Sequence, residues 1–129
     1  MRVILCGLLV AISVCTHAQD KKKKPPDVQV VETKGRRDEG RVMLDGKVRV
    51  TAEKPLKGLV VVFDFISPEH AVISSEKTMV DEDLMSHGAE GVYHAETRDP
   101  VRAVQYKIRA FDKNERELRV DNDGPFIIE

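Results

Sequence analysis

Few groups in this chain have the chemistry to act on a ligand. Beyond the first eighteen residues there are three histidines, His70, His87 and His94. His87 and His94 stand near an acidic turn, Asp81-Glu82-Asp83. A metal or small-ligand site would have to be assembled from His87, His94 and Asp83, since imidazole and carboxylate are the donor types at hand. No HExxH or His-x-His spacing occurs, and a structural zinc site is excluded because both cysteines, Cys6 and Cys15, fall in the first eighteen residues. Asp121-Asn122-Asp123-Gly124 resembles a calcium loop only superficially. With Gly124 as the sixth position, the first ligand would be Arg119 and the closing glutamate would fall beyond Glu129.

Nucleophilic chemistry has no better footing. Ser67, Ser74, Ser75 and Ser86 lack a Gly-x-Ser-x-Gly setting. There is no glycine-rich phosphate loop, and with no tryptophan there is no aromatic platform for a sugar. The chain therefore reads as a non-enzymatic protein without a cofactor. One carboxylate stands out by its neighbours. In KPLKGLVVVFDFIS, Lys54 to Ser67, Asp64 lies between Phe63 and Phe65. A buried, unpaired carboxylate costs several kcal/mol, so Asp64 is expected on the solvent-facing or rim end of its strand, as a structural acid or a partner contact.

The elements that carry these groups follow a period of two. In GRVMLDGKVRVTA, Val42, Leu44, Val48, Val50 and Ala52 all occupy even positions. A hairpin at Asp45-Gly46 would pair Leu44 with Lys47 and mix apolar with charged groups, so a continuous strand with a kink or bulge at Gly46 is expected. Leu59, Val61, Phe63 and Phe65 form one apolar face of the next strand. Ala71–Val80 is a weaker strand without sharp alternation. Leu84–Gly91 reads as a loop with a helical turn near Asp83–Met85. Val92–Thr97 is a strand with Tyr93 and Ala95 inward, and Val101–Phe111 should form a hairpin with Arg116–Asp121. Val28–Val31 and Phe126, Ile127 and Ile128 are strand-like ends. They either complete the fold or offer an open edge to a partner. About seven short strands predict an all-β fold, an antiparallel β-sandwich of immunoglobulin or fibronectin-III type over residues 28–129.

The run LDGKVRVTAEKPLKGLVVVFDFIS resembles the conserved half of small bacterial FxLYD-type domains. A Gly-x-Val strand and a Pro-Leu turn precede a strand of alternating Val and Phe that ends near an acid. Phe63-Asp64-Phe65-Ile66 departs from the Leu-Tyr-Asp of that family. The resemblance implies a secreted immunoglobulin-like module and brings no catalytic residues with it.

The ends and the charge set the remaining expectations. MRVILCGLLVAISVCTHA has one early cation, a short apolar core and a small-x-small site before Gln19, the pattern of a secretory signal peptide over residues 1–18. The run is too short to span a membrane, and Val14 before Cys15 does not suit lipid attachment. Cleavage after Ala18 takes 18 of the 129 residues, leaving 111 with 20 basic against 22 acidic side chains. That balance argues against nucleic acid as a partner. Residues 19–27 form a basic, proline-containing linker, in which Lys21, Lys22, Lys23 and Lys24 offer weak contact to an anionic surface. The expected function is binding to another secreted or envelope protein, or a structural role there, in the periplasm or outside the cell.

Overall fold

The computed structural model describes residues 25–129. The leader-like segment, its cleavage site, Cys15 and Lys21–Lys24 lie outside the described residues. The described chain is an all-β sandwich without helices. Its strands are β1 (Val28–Asp38), β2 (Arg41–Val50), β3 (Leu56–Lys57), β4 (Val60–Ile66), β5 (Val72–Met79), β6 (Leu84–Met85), β7 (Glu90–Arg98), β8 (Gln105–Phe111), β9 (Glu117–Leu118), β10 (Val120–Asp121) and β11 (Phe126–Ile127). One sheet has the order β10-β1-β2-β7, the other β11-β8-β4-β5 with β9 also on β8, and β3 pairs with β6. All pairings are antiparallel except β1 with β10. The fifth strand lies beside β4 rather than β7, so it extends the second sheet.

Alternation sets the core. Val28, Val30, Val42, Leu44, Val48, Val50, Tyr93 and Ala95 face inward from the first sheet, and Val61, Phe63, Phe65, Tyr106, Ile108 and Ala110 from the second. The Phe63 ring stands 5.3 Å from Tyr93 across the sandwich and 6.1 Å from Tyr106 beside it, in tilted and edge-on geometry. With no tryptophan in the chain and no cysteine among the described residues, this aromatic trio is the centre around which the aliphatic residues pack.

Several expectations change in detail. β2 runs straight through Asp45 and Gly46, and its register with β7 is unbroken from Arg41↔Arg98 to Arg49↔Glu90. The irregularity lies instead on β1, where Val31 is the extra residue between Val30↔Val48 and Glu32↔Lys47. β1 continues to Asp38, well past Val31, although ETKGRRD carries no apolar alternation. Its pairing with β2 holds it there. The expected helical turn at Asp83–Met85 is the strand β6, because Met85 is pulled fully into the core beside Leu56. β8 begins only at Gln105, leaving Val104 40% exposed. The hairpin with β9 is two pairs long, after which the chain leaves for the other sheet.

That departure closes one flank. β9 and β11 cover the outer edge of β8, and β10 covers that of β1. Beyond β11, Ile128 bridges to Gly35, the Glu129 N–H donates to the Gly35 carbonyl at 2.9 Å, and the Arg37 N–H donates to the Glu129 carbonyl at 3.0 Å. The C-terminal segment thus laces the two sheets together and satisfies edges that would otherwise invite pairing with other chains.

Candidate functional site

Asp64 is buried, at 8% exposure, on the outward face of β4. This corrects the expectation of a solvent-facing acid. Register explains it: Asp64 stands between Ser75 of β5 and Lys107 of β8, and Arg109 lies two residues along from Lys107 on the same face. The Arg109 guanidinium donates from Nε at 2.7 Å and Nη2 at 3.1 Å, while the Ser75 hydroxyl donates at 2.7 Å. Arg109 also lies 5.5 Å from the Phe111 ring centre. Its bonds to Asp64 raise the Arg109 pKa further above its ordinary value. The carboxylate accepts three hydrogen bonds from two side chains, so Asp64 cross-links β4, β5 and β8 and presents no free group to a partner.

The residues expected to hold a metal are not brought together. Among the described residues, no group of three or more His, Cys, Asp or Glu side chains is placed to hold an ion. His94 lies within β7 and pairs with Asp45 of β2. His87 precedes that strand and its Nδ1 lies 3.1 Å from the Ala52 carbonyl oxygen. The part of β7 from Glu90 to His94 alone spans about 13 Å at the usual rise, which keeps the two imidazoles apart. At Asp83, the backbone carbonyl accepts the Gly58 N–H at 2.9 Å.

The terminal strand is likewise reassigned. Phe126 is half-buried with its ring 5.5 Å from Tyr106, Ile128 is buried, and Ile127 alone points outward, at 69% exposure. Phe126 and Ile128 are core residues, because their strand occupies the edge of β8 instead of offering one.

An open edge lies on the opposite flank, where β5 ends one sheet and β7 the other. From Thr78 onward this flank is closed against β7: the Thr78 hydroxyl donates to the His94 carbonyl at 3.1 Å, and the Asp81 N–H and carboxylate hold Val92 at 3.1 and 3.0 Å. From Val72 to Ser75 the strand pairs only with β4, and all four side chains are exposed, Val72 at 60% and Ile73 at 41%. At the other end of β5 the outer face is apolar around Val60, Val62 and Met79, the last 60% exposed. The other sheet's outer face is a ladder of charges instead, with Arg41 on Glu96 at 2.6 Å and Arg49 on Glu90 at 2.5 Å. The sequence held a sign of the β5 edge. Ala71–Val80 is β-branched yet does not alternate, which is how a strand reads when neither face is deeply buried.

No protein-family model matches the chain, and no curated protein matches it. Among solved structures it is similar to the Pseudomonas fluorescens alkylpurine DNA glycosylase AlkC bound to DNA containing an abasic site analog. The likeness has 15% identity and a TM-score of 0.42, and covers 75% of this chain. The chain spans 31% of the length of that glycosylase chain. This neighbour corrects the reading of the chain as non-enzymatic: the matched protein is an enzyme, so that exclusion is withdrawn. A likeness at this TM-score carries no argument for glycosylase activity here.

Proposed function

We propose that the chain is an exported module that binds another secreted or envelope protein by accepting an extended segment of it as an added strand on β5. The observation that carries this reading is the contrast between flanks. The edges of β1 and β8 are covered by the chain's own C-terminal segment, whereas β5 leaves Val72–Ser75 exposed and paired on one side only. In this binding mode backbone hydrogen bonds supply affinity and alternate side-chain pockets supply selectivity. Glu76 and Lys77 guard only the middle of the strand, since charge is a common means of protecting an edge. The leader-like first eighteen residues and the resemblance to small secreted domains support export.

The test is capture of partners by the tagged chain from secreted and envelope fractions, repeated with Val72→Lys and Ile73→Lys. A protein retained by the native chain and by Ile127→Lys, but lost with either β5 variant at unchanged melting temperature, supports the reading. Equal retention by all of them sinks it.

A further inference from the structure

The outer face of the second sheet carries rows of side chains that run across β5, β4 and β8. Register places Met79, Val60 and Phe111 side by side in one row, and Lys77, Val62 and Arg109 in the next. An apolar row thus lies against a valine that has a cation on either side. Val60, Val62 and Phe111 are half-buried although they point away from the core. The two rows form the floor of a groove of about 580 Å³, within the roughly 300–1,000 Å³ usual for small-molecule sites.

Both ends of the groove are bounded. Beyond the cation row stands Asp64, whose carboxylate is taken up by Ser75 and Arg109. At the opposite end the turn after β8 is drawn against Gly58, where the Lys113 N–H donates to the Lys57 carbonyl at 3.1 Å. Gly58 has a φ of +64°, and a Cβ there would stand 2.8 Å from the Lys113 Cβ. The left-handed conformation open to glycine lets this turn become a wall.

The charges that line the groove are matched except for one. Arg109 is shared with Asp64 and Asp112 with the Arg116 guanidinium at 3.2 Å, while Lys113 and Glu115 cancel in charge. Lys77 remains, and among the described residues it has no carboxylate within ion-pair distance. Arg109 gives Nε and Nη2 to Asp64, and its Nη1 makes no hydrogen bond among the described residues. The Lys77 and Arg109 backbones are two strand spacings apart, roughly 10 Å, a gap that their long side chains span over Val62. Glu117 follows Phe111 in register on β9, on the flank farthest from Lys77. The site is therefore polarised, with its cation at β5.

We propose that this groove binds a small alkyl carboxylate, with its tail on Met79, Val60 and Phe111 and its carboxylate on Lys77 and the Arg109 Nη1. One unmatched cation beside an apolar floor complements a monoanion with an apolar tail, and Met79 supplies an adaptable wall for that tail. The groove lies at the far end of β5 from Val72–Ser75 and does not rest on the strand-addition reading.

Amide chemical shifts of the chain, titrated with octanoate, octanol and octyltrimethylammonium, test the proposal. Octanoate is expected to shift Val60, Val62, Lys77, Met79 and Phe111 and to bind about fivefold more tightly than octanol. Octyltrimethylammonium should bind most weakly of the three. Lys77→Gln should erase the preference for octanoate and leave octanol binding unchanged, whereas Met79→Ser should weaken both. The two side chains are exposed, so neither variant should alter the melting temperature. Equal binding of octanoate and octanol, a preference that survives Lys77→Gln, or octanoate binding untouched by Met79→Ser overturns the proposal. So does the absence of octanoate binding. Each of these outcomes leaves capture of a protein at Val72–Ser75 unaffected.

Discussion

Gly46 lies directly beneath the Tyr93 side chain: a Cβ at this position would stand 2.3 Å from the tyrosine oxygen and 2.5 Å from the Glu32 carbonyl oxygen. The space that the glycine leaves is where the Tyr93 hydroxyl reaches Thr33 at 2.5 Å, and Thr33 in turn meets the Tyr106 hydroxyl at 2.7 Å. Gly35 serves Tyr106 in the same way, its would-be Cβ falling 2.7 Å from the ring. Two glycines on neighbouring strands thus admit two tyrosines whose hydroxyls converge on one threonine and tie the sheets together. Gly46→Ala is expected to cost about 2 to 3 kcal/mol, since neither the ring nor the β1 backbone can yield freely. Urea unfolding measures it, and a cost below about 0.5 kcal/mol would show that the contact relaxes.

Thr33→Val and Tyr93→Phe separate the hydroxyl network from the packing. Tyr93→Phe removes a donor and should cost about 1 kcal/mol. Thr33→Val leaves both tyrosine hydroxyls without their shared partner and should cost more, about 2 kcal/mol. The reverse ranking in urea midpoints would mean that solvent satisfies the tyrosines.

Asp64 and Arg109 should be unequal in their loss. Arg109 has 40% of its side chain exposed and can be rehydrated, whereas the Asp64 side chain has 12%. Arg109→Met therefore strands a largely buried carboxylate with Ser75 alone and should cost about 2 to 3 kcal/mol. Asp64→Ala should cost about 1 to 2 kcal/mol after discounting for solvent screening at the arginine. Equal costs would place the pair in a wetter setting than its geometry shows.

Stability should decline at both ends of the pH scale, for opposite reasons. Backbone N–H groups of Arg116 and Asn114 and the Arg116 guanidinium hold the Asp112 carboxyl below its ordinary value of 3.8. A depressed carboxyl stabilises the fold above the unfolded pKa, and that contribution is lost as pH falls through the folded value. The gap between the native chain and Asp112→Ala should therefore be widest near neutrality and narrow below about pH 4. Burial pushes the Tyr93 and Tyr106 hydroxyls above their ordinary value of 10.0. Their contribution is complete below that value and lost at higher pH, so phenolate absorbance from both should appear together with alkaline unfolding. Free titration in the folded state would contradict their burial.

Removing Phe126–Glu129 should destabilise the domain by at least about 3 kcal/mol, because Ile128 is buried and Phe126 packs on Tyr106. Thermal melting decides it. A truncated chain that melts as the native one does would return this strand to the list of partner-binding edges.

Local pattern alone determined a large part of this protein. Even-position apolar residues in Arg41–Val50, odd-position ones in Leu59–Phe65 and the inward pair Tyr93 and Ala95 were legible because strand geometry sends alternate side chains to opposite faces. The all-β class follows, and so does the rejection of a turn at Asp45-Gly46, which register would not tolerate. The tertiary structure decided what depends on neighbours far along the chain. Asp64 is buried because Arg109, forty-five residues away, reaches it. Gly46 is demanded by Tyr93, and residues 32–38 are a strand because β2 pairs with them. The terminal strand is core and β5 is left as an open edge because the chain crosses between sheets at β9, β10 and β11. Alternation records which face a residue takes, and it carries no record of which strand, charge or ring that face will meet.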